Sequence, residues 1–355
     1  MTNAGRPPVA SAVGAGSARR LQMADIARLA GVSTATVSRA LSHSPLVNEE
    51  TRERILELAR SLRYAVNVGA QNLRMKQNRT VSVLIPFERA SRQHLSDPFL
   101  LAMLGSLADA LTEQGYEMLF SRISTDEFEA ASAPFDSGRV IGMIIIGQWG
   151  RHQQLNAMAA RQVPMVVWGA QLPNQLYCCI GSDNLQGGLA ATGHLLALGR
   201  RRVAFFGDIA LPEPQQRYQG YCAALARQQL PVDPQLQVSV PFLPEGGAQA
   251  VAELARRGVD YDAIFACSDL LAMTAIDALR GRAVSVPEQV AVVGYDDIAQ
   301  AALFHPRISS VRQSTDAAGQ AMVAALLALV NGTTAASLQL PTDLVIRSSS
   351  SAPPA

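Results

Sequence analysis

The chain has 355 residues, 48% hydrophobic and 17% charged, with 30 Lys+Arg against 29 Asp+Glu. At roughly 100–200 residues per domain that means two or three domains with ample chain for a core, and so little charge excludes a disordered polyelectrolyte or a coiled coil. No run approaches the roughly 20 uncharged apolar residues of a membrane helix, and a net charge of +1, taken over the whole chain, argues against a nucleic-acid partner.

The charge is unevenly spread. Residues 1–79 hold 12 basic side chains, all Arg except Lys76, against five acidic ones, a balance of +7; the other 276 residues carry 18 basic and 24 acidic, a balance of −6. A basic head on a mildly acidic body is the electrostatic footprint of a nucleic-acid module joined to something else.

The first twenty residues are rich in Ala, Gly and Pro, and their Arg19-Arg20 pair follows the small-residue run, the reverse of a secretory leader. Residues 1–20 and 350–355 therefore read as disordered tails, and the chain as cytoplasmic. Cys178, Cys179, Cys222 and Cys267 form no C-x-x-C pair and read as small buried hydrophobes. Nothing calls for a metal or a cofactor.

In the head, Met23, Ile26, Ala27 and Ala30 fall on one face of a short helix, and Gly31 stops it. Ser33 is a good N-cap for a second helix over residues 34–41, with Val37, Ala40 and Leu41 facing inward. Two short helices about a tight glycine turn are a helix-turn-helix, whose second helix enters the major groove. Thr34, Ala35, Ser38 and Arg39 lie on its outer face, and Arg39 can donate a fork of hydrogen bonds to a guanine edge. Asn48 caps a third helix over residues 49–62. Residues 67–74 then make a short polar stretch of weak helical propensity.

From residue 80 the pattern changes to short apolar strands alternating with amphipathic helices. Strands are expected at residues 81–86, 116–120, 139–146 and 163–168, with a helix over 99–114. A second series follows: helix 184–198, strand 202–206, helix 217–228, strand 237–240, helix 247–257, strand 263–267, helix 269–280 and strand 290–294. Repeated βα units imply doubly wound parallel sheets, and two series imply two subdomains with a ligand cleft at the carboxyl ends of the strands. Phe99, Gln148, Trp149 and Trp168 are strand-end candidates for that cleft.

The segments LQMADIARLAGVSTATVSRAL, VNEETRERILELARSLRYAVN and AQNLR, in order over residues 21–79, resemble the head of the lactose-repressor (LacI/GalR) family of bacterial transcription regulators. The body resembles that family's core, of the type I periplasmic-binding-protein fold, at DPFL (97–100), VPMVVWG (163–169), GSDNLQGG (181–188), CSDLLA (267–272), VVGYDD (292–297) and HPRISSVRQ (305–313). The fold so implied is an all-α helix-turn-helix DNA-binding head plus an α/β core of two doubly wound parallel-sheet subdomains. The head spans residues 21–66 and a hinge helix with its linker 67–79. The N-terminal core subdomain takes 80–182 with 312–342, and the C-terminal one 183–311 with 343–349.

The resemblance implies that Thr34, Ala35 and Arg39 read bases and that Ser33, Thr36, Ser38 and Asn67 meet phosphates of double-stranded DNA. It places Ala70 and Leu73 on a hinge helix, Leu73 being the residue that family dimers wedge into the minor groove of a pseudo-palindromic operator. For the cleft it implies Asp296 as the acid that holds the effector, Phe242 as a stacking aromatic, Ser268 at a position often held by Asn, and Arg217 and Asp183 as further contacts; Asp297 is read as capping a turn and Asp269 as a helix N-cap. Gly169 departs from a position where the sugar-binding prototype carries an acid. The expected effector is a carbohydrate, with a purine or a sugar acid as alternatives, and the expected assembly a homodimer or tetramer away from any membrane. No H-E-x-x-H, G-x-S-x-G or P-loop is present, which speaks against an enzyme. A periplasmic sugar-binding protein is the rival reading, and the basic head argues against it.

Overall fold

The computed structural model describes residues 23–41, 44–62, 78–88 and 95–351. These fall into two compact units divided between Gln77 and Asn78. The hinge-helix positions Asn67, Ala70 and Leu73 lie outside the described residues.

The first unit holds α1 (Met23–Ala30), α2 (Thr34–Leu41) and α3 (Glu49–Ser61). Its core is aliphatic: Ile26, Ala27 and Ala30 of α1 pack with Val37 and Ala40 of α2 and Ile55 of α3. Gly31 takes φ +64°, and the Val32 N–H reaches back to the Ala27 carbonyl at 3.0 Å. This left-handed stop turns the chain sharply between the two helices. Ser33 Oγ accepts from the Thr36 N–H at 3.1 Å and Asn48 Oδ1 from the Thr51 N–H at 2.9 Å, so α2 and α3 start on side-chain caps. Arg54 donates to the Ala30 carbonyl at 3.1 Å and ties α3 to the end of α1.

The second unit is built on two six-stranded sheets. The first contains β1 (Thr80–Phe87), β2 (Glu117–Ser124), β3 (Met143–Ile146), β4 (Met165–Trp168), β5 (Cys178–Ser182) and β11 (Leu338–Leu340), all parallel, in the order β11-β5-β4-β3-β1-β2. The second contains β6 (Val203–Phe206), β7 (Gln237–Val238), β8 (Ala263–Ala266), β9 (Ala291–Asp296), β10 (Ser309–Arg312) and β12 (Asp343–Val345), in the order β12-β10-β9-β8-β6-β7. Only β12 runs antiparallel there, against β10. The chain passes between the sheets three times, after β5, after β10 and after β11. The central strands β3, β4, β6 and β8 are buried along their whole length, as parallel strands covered on both faces must be.

On the first sheet pack α4 (Pro98–Glu113), a 3-10 stretch (Thr125–Ser132), α5 (Ala133–Asp136) and α6 (His152–Ala160). With the second sheet go α7 (Asn184–Ala197), α8 (Pro212–Arg227), α9 (Gly246–Arg257), α10 (Asp269–Arg280) and α11 (Ala299–Leu303). The last helix, α12 (Thr315–Val330), returns to the first sheet and lies against α4.

Several elements differ from expectation, each for a local reason. The helix expected from residue 217 begins at Pro212, since a proline in the first turn needs no hydrogen-bond acceptor and already has a helical φ. The strand expected from residue 139 begins at Met143, because the Arg139 and Val140 N–H groups are both spent on the Pro134 carbonyl. Helix α12 escaped the periodicity reading because its sequence, TDAAGQAMVAALLALV, is apolar on most sides and carries a weak amphipathic signal. Asp269 was expected to cap α10, but Ser268 does so, its Oγ accepting from the Leu271 N–H at 3.3 Å.

Candidate functional site

The first unit presents Thr34, Ala35 and Arg39 as exposed residues of α2, whose Val37 and Ala40 face the core. Ser33 is exposed, and Thr36 and Ser38 are half-buried beside them; the Ser33 and Thr36 hydroxyls bond each other at 2.9 Å. All six described head candidates thus sit on or before the first two turns of one helix, whose buried Val37 and Ala40 face the core.

In the second unit a cleft of about 700 Å³, its open mouth included, lies where both sheets present the carboxyl ends of their strands. The cleft brings together eight of the nine effector candidates: Phe99, Gln148, Trp149, Trp168, Arg217, Phe242, Ser268 and Asp296. Asp183 is the exception. Its carboxylate caps α7 by accepting from the Gln186 N–H at 2.9 Å, and its own N–H bonds the Leu340 carbonyl.

Arg217 enters from the first turns of α8 and is 5% exposed. Its guanidinium donates to Asn184 Oδ1 at 2.8 Å and to the Cys267 carbonyl, and lies 3.6 Å from the centre of the Tyr295 ring. Asp296 ends β9 with φ +104°, a strained value for a residue with a Cβ, and its Oδ1 accepts from Gln313 Nε2 at 2.7 Å. Burial holds its carboxyl well above the usual range, against the opposing pull of Arg217. Asp297, next along, caps no turn: its oxygens meet Arg312 and Arg347 at 2.7 Å each and tie β9 to two later segments.

Gly169 has a clear packing reason. A Cβ there would stand 2.8 Å from Gln148 Cδ. Gln148 is fully buried and its amide is consumed by Ala170 and the Tyr177 hydroxyl, so it lines the cleft with no polar group to spare. Trp149 has φ +48° and is half-buried, whereas Trp168 is 6% exposed and tilts against Phe99, their ring centres 6.2 Å apart.

Three polar lining residues were not singled out from the sequence: Asp97, Glu213 and Gln313. Asp97 heads the DPFL landmark, and an acid before Pro at a helix start is a legible N-cap signal; it accepts from the Phe99 and Leu100 N–H groups. Glu213 lies one turn before Arg217, in a helical turn that was not expected. Burial raises the carboxyls of both.

Behind the cleft Asp269 is wholly buried. Its Oδ2 accepts from the Ile298 N–H at 2.8 Å, and a Cβ on Gly294 would overlap its Oδ1. Burial, aided by nearby Asp297, pushes its carboxyl up to about 7, against Ser310, the Ile298 N–H and Arg347. A carboxyl raised in the folded state stabilises most below its unfolded pKa, and that contribution is lost as pH climbs from about 4 to about 7. Asp269→Asn, which mimics the neutral form, should therefore unfold with wild type near pH 4 and several degrees above it at pH 8. Parallel melting curves at both pH values would contradict this.

Family comparison agrees with both units. The model for bacterial regulatory proteins of the lacI family matches residues 22–67, and that for a periplasmic binding protein-like domain matches residues 192–350. The HTH-type transcriptional regulator CelR of Thermobifida fusca is 32% identical over 340 residues, covering 93% of this chain and 98% of that protein. The HTH-type transcriptional regulator GntR of Pseudomonas aeruginosa is 32% identical over 314 residues, 87% of this chain and 89% of that one. Among solved structures, a CelR–cellobiose complex aligns with a TM-score of 0.69 at 30% identity, over 93% of this chain and all of its own. The lac repressor dimer bound to operator and an anti-inducer aligns with a TM-score of 0.81 over 93% of this chain and 99% of that one; at 24% identity that is a likeness of fold. A head of this kind joined to a body of this kind, at 32% identity over nearly the full length of a known regulator, means that the chain belongs to the LacI family of bacterial helix-turn-helix transcriptional regulators.

Proposed function

We propose that this regulator represses transcription as a homodimer on a pseudo-palindromic operator, and that a neutral carbohydrate in the cleft sets its affinity for that DNA. The reading part is residues 21–66 and the hinge 67–79. The lobes are 80–182 with 312–342 and 183–311 with 343–349. Effector binding changes the relation of the lobes and, through the hinge, the grip on DNA.

The observation that carries the effector class is the cleft's mixture of aromatic walls and acceptors. Phe99, Trp149, Trp168 and Phe242 offer faces to the C–H side of a sugar ring, and Asp97, Glu213 and Asp296 offer carboxylates to its hydroxyls. Against three acids stands one guanidinium, already bonded to Asn184 and Cys267. That leaves a sugar acid no unspent cation to meet, which disfavours it, and several carboxyl acceptors in one cleft suit the hydroxyls of a sugar better than a flat purine. The relative solved with cellobiose supports the same class.

Gel shifts test the DNA half. Arg39→Ala should lower specific affinity by about 1–3 kcal/mol and relax preference at one base pair per half-site, while Leu73→Ala should weaken specific binding and reduce the bend. Unchanged operator affinity in both variants would defeat the head assignment. Thermal-shift screening against neutral sugars, aldonic acids and purines tests the effector half, and stabilisation by a purine alone would overturn the carbohydrate reading.

A further inference from the structure

The cleft does not end at its aromatic wall. A second cavity, about 680 Å³ with its mouth, shares Trp149, Leu211 and Phe242 with the first and adds Glu88, Asp208 and Leu243. The two chambers are therefore neighbours, and the same indole and benzyl groups line both. Trp149 is held in that place by its loop: Gly147 at φ +93° and Gly150 at φ +67° flank it, and the indole Nε1 lies 2.8 Å from where a Cβ of Gly147 would stand. Only a glycine lets the ring fold back over the loop in this way. Asp208 is equally preset. Its Oδ1 accepts from the Ala210 N–H and the Ser239 hydroxyl at 3.1 Å each, which fixes the carboxylate at the edge of the outer chamber.

We propose that the outer chamber is a second sugar-ring subsite, so that the effector is a disaccharide or longer. This rests on the carbohydrate reading of the inner cleft. One ring lies in the inner chamber beside Asp296 and Arg217. The next lies against Trp149 and Phe242, its hydroxyls donating to the Asp208 carboxylate. Charge-assisted hydrogen bonds to a fixed carboxylate and an aromatic face are the combination a neutral pyranose ring needs. A monosaccharide fills the inner chamber alone and forgoes both, and Trp149 becomes the residue that couples ring number to affinity.

The test is calorimetric titration of the full-length protein with glucose, galactose, cellobiose, maltose, lactose and cellotriose. At least one disaccharide should bind about tenfold or more tighter than its component monosaccharide. Asp208→Asn keeps an acceptor for Ala210 and Ser239 but removes the charge, and should weaken the disaccharide several-fold while leaving the monosaccharide unchanged. Leu243→Trp, at a half-exposed position, should fill the outer chamber and erase the disaccharide advantage. Monosaccharide binding as tight as any disaccharide, or variants that weaken both equally or neither, would overturn the outer subsite while the carbohydrate reading stands. Failure of every sugar to bind would overturn the carbohydrate reading and the subsite with it.

Discussion

Arg217→Ala is expected to cost about 3–5 kcal/mol of folding stability and to abolish the response to effector. The guanidinium is almost fully buried and holds three separate partners: the Asn184 amide at the start of α7, the Cys267 carbonyl at the end of β8 and the face of Tyr295 on β9. Truncation leaves the Cys267 carbonyl without this donor and the Asn184 amide oxygen with the Tyr295 hydroxyl alone, at 3.4 Å, and a buried group left unsatisfied costs about 1–3 kcal/mol. It also removes the cation that opposes the burial-driven rise of Asp296. The sign of the pH effect follows. Without that cation the Asp296 carboxylate is harder to ionise, so the variant's deficit should be larger at pH 8 than at pH 5. Arg217→Lys should rescue little, because a point charge cannot reach Asn184 and Cys267 together and stack on Tyr295. Chemical denaturation at the two pH values measures all of this, and a variant as stable as wild type would refute the anchoring role.

Gly188→Ala is the second large effect, expected to destabilise by about 3 kcal/mol. A Cβ on Gly188 of α7 would overlap the Arg217 carbonyl oxygen of α8 and stand 2.8 Å from its carbonyl carbon. The contact is reciprocal, since a Cβ on Gly220 of α8 would lie 2.6 Å from the Leu189 nitrogen of α7. Two helix backbones touch here with no side chain between them, so a methyl has no flexible neighbour to displace. The helices must separate, and Arg217 moves with α8. Gly188→Ala should therefore lose effector affinity as well as stability, whereas Gly193→Ala on the same helix, where an added Cβ meets nothing within 4 Å, should be stable or slightly better. Equal stability of the two variants in a urea titration would refute the close approach of the two helices.

The head was legible in the sequence because its information is local. The glycine stop at Gly31, the caps at Ser33 and Asn48, and the spacing of Ile26, Ala27, Ala30, Val37 and Ala40 each act within one or two turns. The alternation of buried strands and helices in the body was legible for the same reason. Landmark residues at strand ends then led to eight cleft candidates that the structure gathers into one cavity.

What stayed hidden depends on contacts between distant segments. Asp183 and Asp296 both look like acids after a strand, but one is consumed by the first turn of its own helix and the other faces the cleft. Gly169 reads as a missing acid until Gln148, 21 positions earlier, is seen packed over it. The glycine contact between α7 and α8 and the second chamber beside Trp149 likewise carry no one-dimensional signature. The sequence by itself determined the class of the protein, a basic reading head whose +7 is offset by a body of −6, because charge and periodicity are properties of neighbouring residues. Only the tertiary structure decided which polar groups remain open to a ligand, because burial and hydrogen-bond satisfaction are settled by whatever chain arrives from elsewhere.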